Sequence, residues 1–252
     1  MCGRFAFTAS LEELLAVLGL IDVEDFPPRY NIAPTQPILL VIAGNRREPG
    51  SNLPDRRAML ARWGLIPAWA KNPADMPLNI NARSETAAEK ASFKAAMRHR
   101  RVLIPASGFY EWRRVGRRPQ AYWVRPRSGG IVAFGGLMET YAEPGGSEID
   151  TAAILTTGAS PDIAHIHDRM PVVIKPEHFS RWLDCRTQEP RDVADLMRPP
   201  EEGLFEAIPV SDKVNKVANT GPDLQERVEP APELTAAPER QMPGDAGQLT
   251  LF

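Results

Sequence analysis

Residues 101–137 read RVLIPASGFYEWRRVGRRPQAYWVRPRSGGIVAFGGL, and three short strand candidates stand out in them: RVLIPA at 101–106, AYWVRP at 121–126 and IVAFGGL at 131–137. Each is rich in β-branched or aromatic residues and is bounded by Gly, Pro or polar residues. Outward from this stretch, PILLVIA (37–43), RAMLARW (57–63), AAILTT (152–157), PVVIK (171–175) and FEAIPV (205–210) have the same character. Helix signals are sparser. Ser10 with Glu13 forms a capping box ahead of LEELLAVLGL, whose Leu11, Leu14, Leu15 and Leu18 make one apolar stripe. Ser84 is placed to cap a second helix through ETAAEKASFKAAMRHR, and Pro176 to open a third through EHFSRWL. Helices this few and this irregularly placed do not build repeated βαβ units. The expected class is α+β, with mostly antiparallel strands and flanking short helices.

A chain of 252 residues, 43% hydrophobic and 25% charged, can bury one substantial core, and one large domain over residues 1–227 is expected. From residue 228 the sequence VEPAPELTAAPERQMPGDAG cannot bury enough apolar surface to offset its ordering entropy, so 228–252 is expected to be a disordered tail. The tail carries a charge of -3 of the overall -2, which leaves +1 on the body. Within the body, Arg98, His99, Arg100 and Arg101 form one basic run, and Arg113, Arg114, Arg117 and Arg118 a second. Such runs are read as solvated faces. No run of 18 apolar residues occurs and the first residues lack a signal-peptide pattern, so a cytoplasmic protein without a membrane partner is expected. Two cysteines, Cys2 and Cys185, make no disulfide framework. The 25 prolines are about twice the usual share, and many stiffen the loops between motifs.

Cys2 is the most informative residue. Removal of the initiator Met, which is normal before a small residue, would leave an amine of pKa about 7.7–8.0 and a thiol of about 8.5 on one carbon frame. An aldehyde meeting that pair forms an imine with the amine, after which sulfur adds to the same carbon and closes a five-membered thiazolidine. Taken alone, a cysteine here is more often a small buried hydrophobe.

The surrounding motifs change that balance. MCGRFA (1–6), RYNIAPTQ (29–36), RWGLIPAWAK (62–71), NARSET (81–86), RRVLIPASGFYEW (100–112), IHDRMPVVI (166–174) and VNKVANTGPDL (214–224) resemble, in content and order, the SOS response-associated peptidase (SRAP) family. The resemblance implies an α+β fold with a barrel-like core of strands, and covalent crosslinking to abasic sites in single-stranded DNA. It also implies shielding of the site in the DNA damage response, with nucleoid association when bound. On it, Cys2 matches the nucleophile, Glu111 the family's catalytic acid and His167 its catalytic histidine. Asn81 and Arg83 match positions that contact DNA around the trapped sugar, and a guanidinium suits a phosphate in bidentate fashion. Arg4 matches a position near the DNA backbone, Asn31 a site-lining one, and Trp63 with Leu65 and Ile66 resembles the family's apolar wedge.

No cofactor is expected. A metal between His165 and His167, read as sharing one strand face, is set aside because only two other His exist and no third ligand is evident. Two other functions compete: a cysteine peptidase using Cys2, Glu111 and His167, acting on its own Met1, and a non-catalytic single-strand-binding adaptor. The tail ends in Gln248, Leu249, Thr250, Leu251 and Phe252. This string resembles the short peptide with which bacterial polymerases and repair proteins bind the sliding clamp, a partner the tail would tether on a flexible leash.

Overall fold

The computed structural model describes residues 2–20, 23, 26–44, 55–115, 118–143 and 145–230. In chain order they form β1 (Arg4–Phe7), α1 (Leu11–Leu18), β2 (Arg29–Ile32), β3 (Pro37–Ala43), β4 (Arg56–Trp63), β5 (Asn81–Arg83), α2 (Lys94–His99) and β6 (Arg101–Ala106). Then follow β7 (Gly108–Val115), β8 (Arg118–Pro126), β9 (Val132–Ala142), β10 (Glu148–Gly158), β11 (Arg169–Pro171), β12 (Val173–Ile174), α3 (Phe179–Leu183) and β13 (Phe205–Val210).

Five strands close on themselves. β10 pairs with β4, β4 with β3, β3 with β6, β6 with β9, and β9 returns to β10 through a seven-pair ladder from Glu148–Ala142 to Ile154–Gly136. Of these pairings only β10 with β4 is parallel, so the ring is a mostly antiparallel barrel without free edges. Tight closure needs small residues. A Cβ at Gly136 would lie 2.6 Å from Ile104 Cδ1 across β6 and β9. The barrel sheet extends past β10 through β5 and β11 and past β9 through β12. A second, antiparallel sheet in the order β13, β8, β7, β1, β2 packs beside it. The two share a core in which Phe5, Trp63, Phe134, Phe109 and Phe205 meet edge to face, with centroids 5.2 to 6.1 Å apart. Such pairs add about 0.5–1.5 kcal/mol each beyond area burial.

The first helix forms as its cap requires. Ser10 Oγ accepts from the Glu13 N–H at 3.1 Å, and Gly19, at φ 63°, ends α1 in the left-handed conformation. The second does not form at the expected length. The Ser84 N–H donates to Thr156 O, and residues 84–93 fold as turns before α2 begins at Lys94. The segment read as one strand at 171–175 is split, β11 pairing with β10 and β12 with β9. His165 and His167 stand in and just after a run of turns, not on a strand face.

The basic run at 98–101 is not a solvated face either. Arg101 is buried, donating to the carbonyls of Trp182, Met97, Asp184 and Gln188 at 2.8 to 3.0 Å, while Arg98 pairs with Glu189 and Arg100 with Glu139. No helix among the described residues is long and apolar enough to cross a membrane. Gln248, Leu249, Leu251 and Phe252 lie outside the described residues.

Candidate active site

Strand β1 places Cys2. It runs between β2 and β7 with Arg4 opposite Tyr110, and one further step of that register brings Glu111 beside Gly3. Cys2 is fully buried there, its Sγ–H donating to Arg4 O at 3.6 Å. Burial drives its thiol far above the ordinary range, and the charge of Glu111 adds to the effect. Glu111 is itself 2% exposed, facing Tyr122 of β8 across the ladder. Its burial pushes the carboxyl up to about 7, with the charge of Asp168 a further upward contribution. A carboxyl poised there gives and takes protons at neutral pH.

The barrel sheet supplies the other half of the site. β5 lies parallel to β10, with Asn81 opposite Ile154 and Arg83 opposite Thr156. From that position Asn81 Nδ2 donates to Cys2 O at 2.8 Å and so fixes the start of the chain against the barrel. Asn81 Oδ1 is buried and has no hydrogen-bond partner among the described residues. A buried acceptor left open beside a cysteine is a place for a ligand hydroxyl. His167 stands at the exit of the turns after β10. Its Nδ1 accepts from the Arg169 N–H at 2.9 Å, so the neutral ring carries its proton on Nε2. Burial lowers its pKa and so favours the neutral ring.

Arg4 and Asn31 hold the protein to itself. Arg4 Nη1 donates to Asn31 Oδ1 at 2.8 Å and to Val214 O at 2.7 Å, and Asn31 Nδ2 reaches the carbonyls of Val214, Lys216 and Asn219. They anchor the 214–219 segment, into which Trp112 Nε1 also donates through Asn215 Oδ1 at 2.9 Å. Arg83 is exposed; its carbonyl accepts from the Thr86 and Ala87 N–H groups, and its side chain makes no hydrogen bond or ion pair among the described residues.

Trp63 corrects the expectation of a stacking platform. It is 0% exposed, its indole donating to Ile80 O at 2.9 Å, so it offers no ring face to a base. Leu65 is buried with it. The exposed ring of that segment is Trp69, at 57%, with Leu78 at 49% on the same 64–80 connection leading to Asn81. Among the described residues no group of three or more His, Cys, Asp or Glu could hold a metal ion. A cavity of about 850 Å³ opens at the barrel mouth lined by Arg57, Arg100 and Cys185, and none of the expected site residues lines it.

Residues 1–217 match the family described as SOS response associated peptidase (SRAP). The chain belongs to that family. Its SRAP relatives include "Abasic site processing protein YoqW" of Bacillus subtilis, 35% identical over 230 residues that span 90% of this chain and 99% of that protein. "Abasic site processing protein YedK" of Escherichia coli is 32% identical over 89% of this chain and 98% of its own length. "Abasic site processing protein HMCES" of Gallus gallus is 30% identical over 88% of this chain and 76% of its own length. A crystal structure of a Bacteroides thetaiotaomicron protein shares the fold, with a TM-score of 0.77 at 22% identity over 90% of this chain and all of that one. Two SRAP-segment residues escaped the sequence reading. Trp69 was hidden by Trp63 in the same motif, and Glu85, inside NARSET, forms a bidentate pair with Arg169 at 2.6 and 2.9 Å. No sequence signal pointed to Glu85.

Proposed function

We propose that this protein processes abasic sites in single-stranded DNA by capturing the sugar aldehyde on Cys2 as a thiazolidine once Met1 is removed. The relatives' names supply the substrate class. The observation that carries the chemistry is the convergence on Cys2 of a buried carboxyl titrating near 7, Glu111, and of Asn81 with an open acceptor.

Ring opening of the hemiacetal moves the proton of the C1 hydroxyl onto the Glu111 carboxylate and from there to the ring oxygen, which becomes a hydroxyl; His167 Nε2–H donates a hydrogen bond to that oxygen as charge develops on it, and the ring keeps its proton. The Cys2 amine adds to C1 and gives a carbinolamine. Protonated Glu111 donates to the departing hydroxyl, which leaves as water, and the C=N bond forms. The thiol then adds across C=N, its sulfur bonding to C1 and its proton passing to the Glu111 carboxylate and on to nitrogen. One water is released overall. A thiol held neutral by burial suits this last step, because the neighbouring base takes its proton only when the electrophile is in place.

The same thiol argues against a peptidase for unrelated substrates. Thiol proteases depress the cysteine pKa with a nearby cation, whereas Cys2 is raised by burial and by an acid. DNA recognition rests on backbone and stacking, since an abasic site presents no base edge. Arg83 is available for phosphate and Trp69 for a flanking base.

Purified protein incubated with a uracil-excised single-stranded oligonucleotide is expected to give a heat-resistant adduct on a denaturing gel. Cys2→Ala abolishes it, and Cys2→Ser leaves only an imine trapped by borohydride. Equal adduct from Cys2→Ala removes the mechanism, and unchanged DNA affinity with no adduct from the wild type identifies an adaptor. For the tail, we propose that Gln248, Leu249, Leu251 and Phe252 dock on the bacterial sliding clamp. A fluorescent peptide of residues 238–252 is expected to gain polarization with micromolar clamp; no change at tens of micromolar refutes it.

A further inference from the structure

His167 Nδ1 has two neighbours that ask opposite things of it. The backbone N–H of Arg169 donates to it at 2.9 Å and favours the ring with its proton on Nε2. The carboxylate of Asp168, 3.0 Å away, favours a proton on Nδ1 instead. Whichever neighbour holds its place decides whether Nε2 can donate at all. The backbone of Arg169 is paired with Gly158 in the β10–β11 ladder, and its side chain ties the same residue to two further segments. Arg169 Nη2 donates to Thr156 O at 2.7 Å, and both terminal nitrogens are taken by Glu85, to Oε1 at 2.6 Å and Oε2 at 2.9 Å. Thr156 O also accepts from the Ser84 N–H at 2.9 Å, so one carbonyl of β10 ties the Asn81-bearing segment to the His167-bearing one. Glu85 is the only acidic end of this tie, and its side chain is 51% exposed.

We propose that Glu85 is a positioning residue for proton transfer: by holding the fork of Arg169, it keeps the Arg169 N–H on His167 Nδ1 and the catalytic proton on Nε2. The inference rests on the reading of His167 Nε2–H as the hydrogen-bond donor to the ring oxygen in ring opening. Glu85 touches neither DNA nor the nucleophile in this scheme. It acts through Arg169, and its charge stands beside exposed Arg83, where it weakens phosphate binding. Its removal therefore has opposite effects on binding and on chemistry.

The test compares Glu85→Ala, Glu85→Gln and Glu85→Asp with the wild type in single-turnover crosslinking to an abasic single strand. Each is titrated with DNA to separate the saturating rate from the apparent Kd. Glu85→Ala is expected to slow the saturating rate about tenfold, in line with the loss of a group that orients a histidine, with a Kd equal to or tighter than wild type. Glu85→Asp, which keeps the charge, recovers part of the rate. In parallel, the 15N shifts of His167 in the free protein are expected to move from one Nε2–H form toward a mixture in Glu85→Ala. A wild-type saturating rate together with unchanged shifts overturns the proposal, as does a loss confined to Kd. If the wild type itself gives no adduct, the proposed function fails instead, and the 15N shifts still decide whether Glu85 sets the tautomer.

Discussion

Replacing Glu111 by Gln separates its stability role from its chemical one. The carboxyl is 2% exposed and its pKa is pushed from the ordinary 4.5 to about 7, chiefly by burial. A folded-state pKa above the unfolded one means that the native protein binds the extra proton, so stability is fully present below pH 4.5 and is lost as pH rises through 7. At about 1.4 kcal/mol for each factor of ten in proton affinity, the loss is about 3 kcal/mol by pH 8. Gln has a similar shape and cannot ionise. The stability difference between Glu111→Gln and the wild type, from urea denaturation at half-unit steps between pH 4.5 and 8.5, is therefore expected to rise by about 3 kcal/mol in favour of the variant and to level off above pH 7. Titrating groups that do not feel the charge of Glu111 cancel in that difference. Over the same range the variant's crosslinking is slow at every pH, because Gln neither gives nor takes the proton. A difference that stays flat across this range refutes the assignment of a raised carboxyl to this position.

Trp63→Ala is expected to destabilise the fold by about 3–5 kcal/mol as a cavity in the core, read by thermal melting. Trp69→Ala leaves the melting temperature in place and weakens single-strand binding by about 1–3 kcal/mol, and equal binding by this variant and the wild type excludes stacking there. Arg101→Met leaves four carbonyls, two buried and two half-buried, without their donor and is expected to cost more than about 3 kcal/mol in a denaturation curve. A cost below about 1 kcal/mol means that those carbonyls have found other partners.

The barrel was legible where a strand is a continuous apolar run between turn residues. PILLVIA, RVLIPA and FEAIPV coincide with β3, β6 and β13. The strands that carry the site were harder to read. β1 has four residues and β5 three, too short for a period to show, and each lies inside a motif noticed for its chemistry. The helix expected after Ser84 failed because β10 offers its carbonyl at Thr156 to the Ser84 N–H, a tertiary partner that propensity cannot anticipate. Trp63 and Trp69 stand six apart in one segment, and only the pairing of β4 tells which is core. Arg101 looked like surface because a lone cation normally is; its four carbonyl acceptors come from chain 81 or more positions distant in three of four cases. Cys2, Asn81, Glu111 and His167 were readable as a set only through their motifs, since they come from four separate segments.

Gly3 is all that lies between Cys2 and the first residue of β1. A reactive group at a chain end ordinarily sweeps a wide volume. Here one residue of slack, with its carbonyl pinned by Asn81, turns it into a fixed post. The spacing is therefore a ruler. One residue inserted between Gly3 and Arg4 would carry the thiol about 3.3 Å along the strand direction and turn it to the opposite face. Its reactivity would be intact and its address wrong. In the proposed reaction the same ruler would set which nucleotide position meets the sulfur, so reach along the strand is a quantity that β1 measures independently of any acid or base around it.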